Sequence, residues 1–238
     1  MPASRGRARS GSKARSSCAA PRRGCFTPNG QVTSPGQRGP TYLAKLGVDK
    51  QLNSNLRVRL TGSMYKKDRS ASNTLTSGDR AGSKYYDVLE NTTSTESAQA
   101  WSGAIQSGMK NDVRAFVVNP FLKYKGAEVF GNVETMTGAA ATETSNRTLR
   151  QLVGEGLYRF ANDQLYVGGR YNVVKGQLAG IANDITVRRT QLGGGWFVTP
   201  NVLSKLEIVN QRYLDFPSTD IRNGGQFKGF MVEGVVAF

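Results

Sequence analysis

The sequence predicts an all-β fold, an antiparallel up-and-down meander of the kind that closes into a transmembrane β-barrel, and three observations carry that prediction. Apolar and polar residues alternate with a period of two through repeated runs of about ten residues, the pattern of a sheet whose two faces meet different media. Connections between the runs alternate between brief turns and long polar loops, the asymmetry of bacterial outer-membrane barrels. The last run, 227–238 (FKGFMVEGVVAF), alternates to the end of the chain. In it Phe230, Val232, Gly234, Val236 and Phe238 share one face, opposite Met231, Glu233, Val235 and Ala237.

Composition is compatible with this. Hydrophobic residues make up 38% of the 238 positions and Gly numbers 28, with a mean hydropathy of -0.43. No stretch approaches the roughly 18 apolar residues of a membrane helix, so a helical membrane protein is excluded; a barrel escapes that test because only alternate residues face lipid.

The net charge of +15 divides unevenly, since eight of the 32 basic residues and none of the 17 acidic ones lie in residues 1–40. That segment is rich in Arg, Ser, Gly and Pro and buries too little apolar surface to offset chain entropy, so it is predicted to be disordered. It reads as a solvated or non-native leader, with a nucleic-acid- or lipid-binding basic arm as the alternative. No apolar segment of a secretory signal follows its charges. Cys18 and Cys25 are the only cysteines, too far apart for a C-x-x-C site, and the chain has no histidine, so neither a metal site nor another cofactor is expected.

From residue 41 onward the elements follow in order. Residues 42–49 and 56–65 form a hairpin about Asn53; in the second run Leu56, Val58, Leu60, Gly62 and Met64 oppose Arg57, Arg59, Thr61, Ser63 and Tyr65. A polar loop of 66–111 follows, within which 87–105 has the composition of a short helix that folds over something. Strands are then predicted at 112–124, with a bulge at Pro120, at 127–136 after the Lys125-Gly126 turn, at 148–160, and at 164–174 beyond Asn162-Asp163. Further strands are placed at 185–198, at 202–213 after Pro200-Asn201, and at 227–238. If the last strand descends into the periplasm, every long loop lies on the outer surface. Nine is an odd number, whereas single-chain bacterial barrels have even counts. The expectation is therefore the carboxy-terminal part of a larger barrel over 41–238, without its first strands and export signal.

The polar strand faces supply the candidate lumen lining: Arg57, Arg59, Glu128, Asn132, Glu134, Gln151, Glu155, Arg159, Arg170, Asn172, Arg188, Lys205, Glu207, Gln211 and Glu233. Charges buried against lipid are costly, so their clustering opposite an apolar face points to a wet or internally paired interior. Tyr124, Tyr158, Phe160, Tyr166, Trp196, Phe197 and Tyr213 lie near strand ends, as in an interfacial aromatic girdle. No nucleophile, base or acid is arranged for catalysis, and an enzyme is not expected.

The stretches NPFLKYKGAEVFGNVE (119–134), LYRF (157–160), LYVGGRYN (165–172), GWFVT (195–199) and FKGFMVEGVVAF resemble the carboxy-terminal half of porin-like outer-membrane barrels of Gram-negative bacteria, loosely the group of phosphate-selective porins. The resemblance implies an outer-membrane channel for passive diffusion of small or ionic solutes. It also implies that the barrel-assembly machinery reads Phe230, Val232, Val236 and Phe238. Implied partners are the outer-membrane lipid bilayer, that machinery, small solutes or ions, and a second copy in a homo-oligomer. A structural or adhesive barrel without an open channel is the second reading, and a basic nucleic-acid-binding protein the third.

Overall fold

A computed structural model of the protein describes residues 39–70, 73, 78–81 and 103–237. The alternating runs become nine strands: β1 (Thr41–Gln51), β2 (Leu56–Lys67), β3 (Asn111–Tyr124), β4 (Ala127–Ala139), β5 (Arg147–Phe160), β6 (Leu165–Gly176), β7 (Ile185–Thr199), β8 (Val202–Leu214) and β9 (Gln226–Val236). They form one sheet in chain order with every neighbouring pair antiparallel. Among the described residues no pairing joins β1 to β9, so the sheet is an open meander. The predicted tail through residue 38, the stretch 87–102 of the expected helix, and Phe238 lie outside the described residues.

Strand ends extend past the sequence pattern where the outermost residues are small or polar. β4 continues through Thr137, Gly138 and Ala139 because the ladder to β5 continues through Thr137↔Thr148 and Gly138↔Arg147. The predicted bulge at Pro120 is not where the register shifts. Val118↔Val133 and Phe121↔Phe130 keep one register across the proline, and the shift falls between Asn111 and Arg114, where Asp112 has a φ of 47°. Pro120 is accommodated by Gly131 on the neighbouring strand, where a Cβ would lie 2.8 Å from its ring. Lys123 therefore keeps the facing of Val117 and Asn119.

The short turns all lie at one end. Asn53 Oδ1 accepts hydrogen bonds from the amides of Asn55 (2.9 Å) and Leu56 (3.0 Å), which fixes the β1–β2 turn. Ala161, Asn162 and Asp163 all have left-handed φ (52°, 55° and 65°) between β5 and β6, a conformation that Asn and Asp tolerate better than most residues. At the opposite end the long loops converge. There Ile105 and Met109 of the β2–β3 loop pack with Val113, Met136, Leu149, Val174, Ile185, Val187 and Tyr213 in one buried cluster. The sheet face under this loop is the inner face, and its opposite the outer face.

Gly176 has a φ of 142°, and a Cβ there would lie 2.2 Å from the Thr148 carbonyl oxygen. Gly176→Val is expected to cost about 1–3 kcal/mol of stability from strain at a glycine-only conformation. Gly154, around which nothing lies within 4 Å, is the control. Urea midpoints in detergent micelles that match for Gly176→Val and Gly154→Ala would contradict this assignment.

Candidate functional site

Continuous register decides which side chains meet. Lys123 stands opposite Glu128, Glu155 opposite Arg170, and Lys205 opposite Glu233. All are on the inner face toward the turn end. Lys123 Nζ lies 3.1 Å and Arg159 Nε 3.3 Å from Glu128 Oε1, Arg170 is 3.6 Å from Glu155, and Lys205 Nζ is 2.8 Å from Glu233 and 3.5 Å from Glu207. Arg57 reaches Asp49 at 2.6 Å, and the Arg59 guanidinium lies 4.9 Å from the Phe121 ring centre. The partly covered cross-strand pairs of Glu128 and Lys205 contribute on the order of 0.2–1 kcal/mol each, and all of these pairs stay hydrated. A pocket of about 410 Å³ opens among them, bordered by Glu155, Arg159, Tyr166, Arg170, Lys205 and Glu207.

Toward the loop end the inner face changes character. The β2–β3 loop folds down onto it, and the strands hold the loop largely through its backbone. Asn172 Nδ2 donates to the carbonyls of Arg80 (3.2 Å) and Ala81 (2.9 Å). The Tyr213 hydroxyl donates to Gly103 O at 2.6 Å, and Arg147 donates to Ser107 O at 3.1 Å. Within the loop, Asp79 Oδ1 accepts from the amides of Ala81 (3.0 Å) and Ile105 (2.8 Å), tying its two described parts together. The Arg80 side chain adds an ion pair to Glu134 at 3.1 Å, with side-chain exposures of 16% and 12% that leave it little screened.

Arg147 is anchored from its other side by Glu143, whose carboxylate accepts from Arg147 Nε at 2.8 Å and from the amide of Ala140 at 2.6 Å. Partial burial pushes the Glu143 carboxyl up, but the Ala140 amide and the Arg147 guanidinium outweigh it and hold the group below its ordinary value. Asp220, in the last loop, is likewise lowered, chiefly by its hydrogen bond from Arg222.

The outer face is zoned differently. Tyr124, Tyr158, Phe160 and Trp196 are exposed at the turn end. Above them come Leu122, Val129, Val133, Leu152, Val167, Leu192, Leu206, Ile208, Phe230 and Val232, also exposed. Between the aromatic row and the cations near the loop end, no outer-face residue of β2–β9 is charged.

Of the predicted lining residues, Arg57, Arg59, Glu128, Asn132, Glu134, Gln151, Glu155, Arg159, Arg170, Asn172, Lys205, Glu207, Gln211 and Glu233 project from the inner face. Arg188 is a correction: it is exposed on the outer face, and its neighbour Arg189 is the buried inner residue, donating to Gln211 Oε1 at 3.1 Å. Ile185 and Val187 account for the reversal, because at the loop end the inner positions of β7 are apolar. Tyr166, Phe197 and Tyr213 do not belong to the girdle either. Tyr166 and Phe197 border the inner pocket, and Tyr213 is fully buried under the loop. Phe230, Val232 and Val236 face outward. Sequence reasoning missed Arg80, Arg147 and Arg189; strand parity carried a signal for Arg147 and Arg189, whereas Arg80 lies in a loop without alternation.

No family model matches the chain, and no curated protein matches it in sequence. Among solved structures, in-vitro folded OmpT, an outer membrane protein of Vibrio cholerae, aligns with 13% identity and a TM-score of 0.47 over 82% of this chain and 55% of that one. OccAB3 of Acinetobacter baumannii aligns with 12% identity and a TM-score of 0.49 over 82% and 48%. The chain spans about half the length of these solved structures.

A carboxyl lowered in the folded state stabilises above its unfolded value, and that stability is lost as pH falls through the folded value. Thermal midpoints of the native protein should therefore drop between about pH 6 and about pH 3 by more than those of Glu143→Gln, which lacks this titration. Parallel pH profiles for the two proteins would refute the Glu143–Arg147 clamp.

Proposed function

We propose that the chain forms the wall of a bacterial outer-membrane β-barrel whose inner face borders an aqueous passage for small or ionic solutes. The observation that carries this reading is the outer face. From Arg150 to Tyr158 on β5, and from Arg188 to Trp196 on β7, the same interval of eight residues separates a cation from an aromatic ring. That interval is about 27 Å along a strand. Allowing for strand tilt, it is on the scale of the roughly 25 Å apolar band of outer-membrane barrels. A water-facing sheet has no reason to expose an uncharged band of that height on eight consecutive strands.

On the inner face, hydrated ion pairs of mixed sign supply a polar surface along which ions move. The docked loop narrows the passage at its far end. The dry cluster beneath that loop favours a second reading, a barrel filled by its own side chains, and conductance across planar bilayers decides between them. Stepwise conductance is expected, and its absence from fully folded protein would support the filled barrel.

Two measurements follow. Leu206→Arg, in the middle of the outer band, should cost about 2–4 kcal/mol of stability in bilayers, whereas Gln191→Arg on the inner face should cost far less. Equal costs would argue against a membrane. Replacing Arg57, Arg59 and Arg170 with Glu should leave folding intact and shift the reversal potential across a salt gradient toward cation preference. An unshifted potential in a conducting protein would remove these arginines from the passage.

A further inference from the structure

Five cations form a row on the outer face at the loop end, one on each of five adjacent strands: Arg150 on β5, Lys175 on β6, Arg188 on β7, Arg212 on β8 and Lys228 on β9. All five are exposed. Register sets them close together, since Arg150 is directly opposite Lys175 and Arg188 directly opposite Arg212. Like charges placed across a ladder repel. Among the described residues none of the five makes an ion pair within 4.0 Å, and the outer faces of β5–β9 carry no acid.

The contrast with the other strands is sharp. The outer-face cations of β2 and β3 are neutralised locally, Lys66 by Asp68 and Arg114 by Asp112, each at 3.3 Å. β4 has Thr135 and Thr137 at the corresponding height and no cation. At the loop end of the outer face, uncompensated positive charge is thus confined among the strands to β5–β9, directly above the uncharged band.

We infer that this row is a binding surface for phosphate-bearing lipid headgroups of the leaflet on the long-loop side. The inference rests on the membrane reading above. A cation at the top of an apolar band stands at headgroup depth when the band fills the hydrocarbon layer, and guanidinium groups there take phosphate oxygens bidentately. Apolar residues below and cations above match the two halves of an anionic lipid. A soluble phosphate would use only the upper half.

The test uses the full chain folded into phosphatidylcholine vesicles containing spin-labelled phosphatidic acid or spin-labelled phosphatidylcholine. Insertion is checked first by co-flotation with vesicles and by heat-modifiable migration. The motionally restricted lipid fraction should favour phosphatidic acid by about threefold or more, falling as salt is raised. Combined Arg150→Gln, Lys175→Gln, Arg188→Gln, Arg212→Gln and Lys228→Gln should bring the ratio near one, while Arg170→Gln on the inner face leaves it unchanged. A folded, inserted protein with no preference would overturn the lipid site and leave the membrane reading standing. Failure to insert at all would remove both. If the ratio in the fivefold variant matched that of the native protein, or if inorganic phosphate at millimolar concentration abolished the preference when an equal ionic strength of chloride did not, the row would not be a lipid site.

Discussion

Everything described here depends on a ladder that almost never slips. Eight antiparallel pairings run in chain order, with shifts only at Asn111/Arg114 and at Phe197/Thr199, both at strand ends. Because a strand's side chains alternate between faces, an unbroken register commits each residue to one medium for the whole strand. That is why Lys123, Glu155 and Lys205 find opposite charges on the inner face while Leu122, Leu152 and Leu206 are exposed on the outer one. A single mid-strand slip would exchange the two sets.

The faces are themselves divided along their height, and in opposite senses. Moving from the turns toward the loops, the inner face passes from paired charges to a dry cluster under the β2–β3 loop. The outer face passes from aromatic rings through aliphatic residues to cations. The fold therefore combines two gradients of polarity that run in opposite directions on the two sides of one sheet. Where the inner side is dry, at Ile185 and Val187, the outer side of the same strand is charged, at Arg188.

That opposition explains what the sequence made legible and what it hid. Nine strands, their antiparallel order and the facing of Glu128, Glu155, Arg170, Lys205 and Glu233 follow from period two alone, because those residues lie in the half where the inner side is polar. In the other half the rule that polar means inner holds for Asn172 and Gln211 but not for every residue. There Arg188 looks like a lining residue and Arg189 does not, although the parity of Leu192, Trp196 and Val198 places Arg188 with the outer set. Tyr213 was misplaced for the same reason: a ring near a strand end reads as interfacial unless the loop that buries it is known. No local pattern announces that Gly103 or Ser107 will be held by side chains about a hundred or forty positions later.

The manner in which the long loop is held has a consequence for what fixes its course. Asn172, Tyr213 and Arg147 grip carbonyl oxygens of Arg80, Ala81, Gly103 and Ser107. A carbonyl is offered by every residue type, so these grips do not depend on which side chain the loop carries at that point. Among the described residues, the strands recognise the path of the loop and also read its letters at Arg80, at Asn73, whose Nδ2 donates to the Tyr65 hydroxyl at 2.9 Å, and at the buried apolar contacts. Such an attachment fixes the course of the described part of the loop without fixing every side chain along it.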